Sequence, residues 1–124
     1  MILADTSVWI SHFRAWDPRL SALLEAARVL GHPWVRGEIA LGSLSNRHEV
    51  LELLAALPQA QVATNSEVMG LIESRHLFGR GIGYIDAHLL AATLLTAGAA
   101  LWTLDQRLAA AAKALGVSSK QPAR

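Results

Sequence analysis

The sequence predicts a single α/β domain whose parallel sheet is covered by helices on both faces. Three observations lead there. Short apolar runs alternate with helical stripes along the chain. The 124 residues suit one domain, 1–124, and leave no room for a second. Hydrophobic residues make up 52% and charged ones 17%, so a core can form without staples, and there is no cysteine to supply any.

The elements follow in order. Met1 to Ala4 reads as a short buried strand and Ser7 to Arg14 as a helix. Asp17-Pro18 opens a second helix, with Asp17 as N-cap and Pro18 at the first helical position. Leu20, Leu23, Leu24 and Ala27 give that helix its apolar stripe. Pro33 to Val35 is the next expected strand. Glu38 to Leu44 and Arg47 to Leu57 follow as helices, the second ended by Pro58. Gln61 to Ala63 reads as a strand and Thr64 to Phe78 as a helix, leading into the glycine-rich connection from Gly79 to Gly83. Tyr84 to Ala97 is an apolar helix, Ala99 to Thr103 a strand and Asp105 to Leu115 a last helix. Residues 118–124 read as a polar tail.

Composition bounds the function. Without cysteine there is no disulfide, zinc–thiolate site or thiol catalysis, which fits a reducing cytoplasm. The net charge of +1 rules out a simple basic clamp for nucleic acid. The low charge and high apolar content point to a partner or a dimer. The start carries no basic leader and meets Asp5 at once. Ala87 to Leu104 lacks Asp, Glu, Lys and Arg, but Gly98 interrupts it, so a buried helix and strand explain it better than a membrane span.

The aspartates carry the functional signal. There are four: Asp5, Asp17, Asp86 and Asp105. Asp17 has its capping role. Asp5 follows the first strand, Asp105 follows the strand Ala99 to Thr103, and Asp86 opens the helix between. Ligands of open α/β sheets bind beyond the carboxyl ends of the strands. If the first and the late strand are neighbours, these carboxylates share one crevice, and Glu38 makes a fourth. Crowded carboxylates repel, and a hard divalent cation with oxygen preference removes that cost. Metal-assisted phosphodiester hydrolysis is the reaction class that follows. Each acid also has an ordinary role open to it. Asp5 can cap the first helix, Asp86 can favour a helix N-terminus, a Thr103/Gln106 capping box leaves Asp105 a first-turn acid, and Glu38 can be a solvated surface residue.

Three segments resemble a known family. Asp5-Thr6-Ser7-Val8-Trp9-Ile10 resembles the opening motif of PIN domains of the VapC toxin family. Gly79 to Ala92, with Asp86 at its centre, resembles the central motif, and Trp102 to Leu108 the late strand-plus-acid motif. The resemblance implies a three-layer α/β/α domain with a parallel sheet of four to five strands, order 3-2-1-4-5, the fifth near Val117 and minimal. It implies Mg²⁺- or Mn²⁺-dependent endoribonuclease activity on structured RNA such as tRNA or rRNA, a cognate antitoxin, inhibition of translation and a homodimer. By matching positions, Asp5, Glu38, Asp86 and Asp105 form the acidic quartet, with Asp5, Asp86 and Asp105 on the metal and Thr6, Ser7 and Thr103 lending hydroxyls. Arg36-Gly37 stands before Glu38 where the family has a Ser/Thr-rich turn.

Arg80, in the glycine-rich approach to Asp86, is the preferred RNA-phosphate contact. Arg14, Arg47, Arg75 and Arg107 read as solvated charges. Trp9, Phe13 and Trp16 lie broadly on one helical face or just past its end and are expected to meet the antitoxin. The histidines lack metal-ligand spacing, and His88 reads as packing or hydrogen bonding. A haloacid-dehalogenase-type phosphatase needs a second Asp where Ser7 stands. A receiver domain needs a lysine near the last strand, and Lys113 and Lys120 come too late. A non-enzymatic RNA- or protein-binding α/β module is the alternative.

Overall fold

The computed structural model describes residues 1–120. The predicted tail from 118 onward is therefore seen only to Lys120; residues 121–124 lie outside the described residues.

Strand β1 (Ile2–Ala4) is central, and β2 (Val29–Leu30) and β3 (Ala100–Trp102) pair with it on either side, both parallel. Two single-residue bridges extend this sheet. Gly31 pairs with Gln59 beyond β2, and Leu101 with Ser118 beyond β3, both parallel. With the bridges counted as strands, the order is the expected 3-2-1-4-5, and the minimal fifth strand is the Ser118 bridge.

Helix α1 (Thr6–Arg14) starts on the Asp5 N-cap, and α2 (Pro18–Glu25) starts on Asp17 with Pro18 in its first turn. Arg19 holds the Asp17 carboxylate at 3.0 Å and lies over the Trp102 ring. Two strand expectations are corrected here. Pro33 to Val35 is not a strand: it begins helix α3 (Pro33–Ala40), and β2 comes earlier. The reason is the cap. Proline has no N–H to give a ladder but suits a first helical turn, and the His32 Nδ1 accepts the Trp34 N–H at 3.0 Å. Gln61 to Ala63 likewise forms no strand among the described residues. Pairing occurs two residues earlier, with Gly31 N–H donating to Pro58 and Ala60 N–H to Gly31. There a Cβ on Gly31 would stand 2.9 Å from the Leu54 carbonyl, so only glycine lets the segments close.

Helix α4 (Arg47–Ala56) ends before Leu57, held extended by Pro58. Helix α5 (Asn65–Ser74) starts on a Thr64/Glu67 capping box and stops short of the predicted Phe78, because His76 turns left-handed at φ 53. Helix α6 (Tyr84–Leu95) and β3 divide the uncharged run as expected, with Gly98 at φ 73 in the turn between. No described helix is long and apolar enough to cross a membrane. Helix α7 (Gln106–Ala114) closes the domain. Leu3, Leu20, Leu89, Leu90, Leu101 and Leu108 form the heart of the core, each at most 1–2% exposed. The pairing that matters most is Ala4 with Trp102, because it brings the next residues, Asp5 and Thr103, together at the carboxyl edge.

Candidate active site

Asp5 leaves β1 in extended conformation and is 5% exposed. Its Oδ1 accepts from the Val8 N–H at 3.2 Å and from the Ser7 hydroxyl at 2.5 Å. Its Oδ2 accepts from the Thr103 hydroxyl. The same Thr103 oxygen accepts the Asp105 N–H at 3.0 Å, and the Ser7 oxygen accepts the Leu104 N–H at 3.0 Å. Two hydroxyls therefore stitch the end of β1 to the end of β3. Both were expected to support the acids, as was Thr6, whose hydroxyl donates to Glu38 Oε1 at 2.7 Å.

Asp86 stands in the first turn of α6, where its Oδ2 accepts the Gly83 N–H at 3.1 Å. Asp105 is the N-cap of α7; its Oδ1 accepts from the N–H groups of Arg107 and Leu108. The Thr103/Gln106 capping box is therefore replaced by Asp105 itself. Glu38 does not open its helix, as expected from sequence, but sits exposed well inside α3, whose true cap is His32.

Burial pushes the Asp5 carboxyl above its ordinary value. Hydrogen bonds from Ser7, Thr103 and Val8 pull it down, and the charge of Asp86 adds to the upward push. Asp86 therefore lies close enough for its charge to act on Asp5. Asp86, Asp105 and Glu38 each spend one carboxylate oxygen on a fixed donor and keep the other free among the described residues. No three carboxylates or imidazoles among the described residues stand together as a ready cation cage. The donor set nevertheless fits a hard divalent ion: all oxygen, few protein ligands, with water completing the shell.

Arg80 is exposed in the glycine-rich loop and forms no hydrogen bond or ion pair among the described residues. Arg107 comes closer to the loop than its reading as a solvated charge suggests. A Cβ on Gly81, at φ 75, would stand 2.8 Å from its Cδ. Phe13 and Trp16 line a groove of about 430 Å³ with Leu24, Val50 and Leu53, apart from the carboxylates. Trp16 is 69% exposed, whereas Trp9 is 1% exposed and forms the groove's floor from within the core.

His88 packs as its sequence position suggested, but its association with His32 escaped the sequence reading. His32 and His88 are buried, and His32 Nε2 and His88 Nδ1 have no hydrogen-bond partner among the described residues. Burial lowers the pKa of both, that of His32 to about 4 with help from nearby His88. Trp34 and Tyr84 surround His88. The available signal was His32-Pro33, a cap followed by a first-turn proline, which a strand assignment concealed.

The PIN domain family profile matches residues 2–114. Two relatives, each named Ribonuclease VapC32, come from Mycobacterium tuberculosis strains CDC 1551 / Oshkosh and ATCC 25618 / H37Rv. Each is 52% identical over 118 residues, covering 95% of this chain and 95% of the relative.

Proposed function

The chain belongs to the PIN-domain family, and from that premise we propose that it is a divalent-metal-dependent endoribonuclease, the toxin of a toxin–antitoxin pair that inhibits translation. The observation that carries this reading is the buried Asp5 carboxylate, held by the Ser7 and Thr103 hydroxyls and repelled by Asp86. A structural cap alone requires no second carboxylate within range of its charge. Asp5, Asp86 and Asp105 would hold the ion, Mg²⁺ or Mn²⁺. When bound, the ion supplies charge neutralisation at the phosphodiester and a more acidic water.

The chain's own residues do the rest. Ser7 and Thr103 fix the orientation of Asp5 and leave Oδ2 one lone pair to offer the ion. The Gly83 and Arg107 N–H groups hold Asp86 and Asp105 against rotation. Glu38, exposed and tied through one oxygen to Thr6, keeps Oε2 free to take the proton of the attacking water. Water adds to phosphorus, the ester P–O bond breaks, and the leaving oxygen takes up a proton. Arg80 and Arg107 are the cations available to the flanking phosphates.

The substrate is structured RNA, of the tRNA or rRNA class, and the site of action the cytoplasm. The groove of Phe13 and Trp16 suits the apolar face of an amphipathic antitoxin helix. The exposed Leu94 and Leu95, beside Leu71 and Ala91, suit a second copy, giving a homodimer. Induced expression tests the toxin reading. Growth should stop with loss of protein synthesis, and co-expression of the cognate antitoxin should restore it. Unimpaired growth at high expression of folded protein refutes it.

A further inference from the structure

Two aromatic rings are carried by the same helices as Glu38 and Asp86 without a part in the carboxylate network. Trp34 lies on α3 one turn before Glu38, and Tyr84 is the first residue of α6, two before Asp86. Positions i and i+4 share a helix face, so Trp34 and Glu38 lie on the same side of α3. Trp34 packs nearly flat on His88, with ring centroids 4.0 Å apart and 28° between planes. Tyr84 meets His88 edge-on at 4.8 Å and 89°, and meets Trp34 at 6.0 Å and 61°. The Tyr84 hydroxyl donates to Asn65 Oδ1 on α5, which fixes the ring. His88 is 3% exposed, Trp34 is half-buried and Tyr84 is 39% exposed. The inner ring is sealed, and the outer two keep open surface.

A position that needed only volume would be filled at less cost by leucine. His88 instead buries a ring nitrogen with no partner. What the imidazole supplies is a flat surface under Trp34. The site is acidic and the chain's net charge is +1, so phosphate contacts alone give little affinity. Stacking of bases on aromatic rings does not depend on a basic surface and tolerates any base.

Resting on the ribonuclease reading, we propose that Trp34 and Tyr84 form a stacking subsite for an unpaired nucleobase flanking the cleaved phosphodiester. Anisotropy with labelled oligoadenylate in EDTA tests it, beside an abasic ribose-phosphate strand of equal length. Trp34→Leu and Tyr84→Leu should each weaken oligoadenylate binding by about 5- to 150-fold, the range of one stacked base. Trp34→Phe should keep most of the affinity, and abasic binding should be the same in all proteins. In cleavage, KM should rise in the leucine variants more than kcat falls. Tyr84→Leu carries the test if circular dichroism shows Trp34→Leu misfolded, because Tyr84 is the more exposed. Equal oligoadenylate affinity and unchanged KM, in a wild type that cleaves RNA, overturn the subsite and leave the ribonuclease reading standing. A wild type that neither binds nor cleaves RNA overturns both.

Discussion

Replacing Thr103 by valine keeps the shape of the side chain and removes two short hydrogen bonds at the centre of the site, with a longer 3.5 Å contact to the Ser7 hydroxyl. One is the bond it donates to Asp5 Oδ2; the other is the bond it accepts from the Asp105 N–H. Asp105 is exposed, so water can replace the second at small cost. Asp5 is 5% exposed, so the first is not replaced. A hydrogen bond to a buried charge contributes about 1.5–3 kcal/mol. The Ser7 and Val8 donors remain, and about 2 kcal/mol is the expected loss, near 30-fold in the folding equilibrium. For a chain of this length the melting temperature should fall by roughly 6–10 °C. The loss should depend on pH. Thr103 holds the Asp5 pKa down, so removing it raises a pKa that burial already raises. The penalty is then full where Asp5 is ionised in the native state and shrinks as pH falls and Asp5 is protonated in both states. Urea unfolding at neutral pH and near pH 4 measures it. Equal stability of the two proteins at neutral pH, or a deficit unchanged by acid, refutes the reasoning.

Three further outcomes are expected. Asp5→Asn keeps an acceptor for the Val8 N–H and loses a buried, repelled charge; in chelator at neutral pH it should melt at or above wild type. That advantage should vanish as pH falls below the raised Asp5 pKa, and a lower melting temperature at neutral pH contradicts it. The His32 pKa lies at about 4, below its ordinary 6.5, so the unfolded chain takes up the proton first and stability falls as pH drops across that window. His32→Asn keeps a capping acceptor without the titration and should show a shallower dependence there; an equal slope removes His32 from the account. Trp16→Ala should weaken antitoxin binding by about 2 kcal/mol, near 30-fold, with RNA cleavage by the free protein kept; unchanged affinity by titration calorimetry takes Trp16 out of the interface.

Much of the fold was legible because its signals are local. Asp17-Pro18 announces a helix start, Leu57-Pro58 an end, and the alternation of short apolar runs with stripes gives the layered class. The errors fall where two local signals compete. Pro33 to Val35 looks extended when the apolar run is weighed, and helical once His32 is allowed to cap, which histidine rarely does. The third and fifth strands shrink to single bridges, too short for any periodicity to show. For the site, the positions of Asp5 and Asp105 after neighbouring strands were readable, since both precede helices. The tie from Glu38 to Thr6 and the stack of Trp34 on His88 join residues far apart in sequence, and only packing brings them together.

The central claim is that the carboxylates gathered at the ends of β1 and β3 perform metal-dependent RNA cleavage. The direct measurement is cleavage of purified RNA by wild type, Asp5→Asn, Asp86→Asn and Asp105→Asn, each with Mg²⁺ or Mn²⁺ and with EDTA, with far-UV circular dichroism on the same samples. Wild type should cleave only with the divalent ion, and each variant should fall to background while keeping its fold. Cleavage that persists in EDTA, or wild-type rates in any two of the variants, contradicts the account.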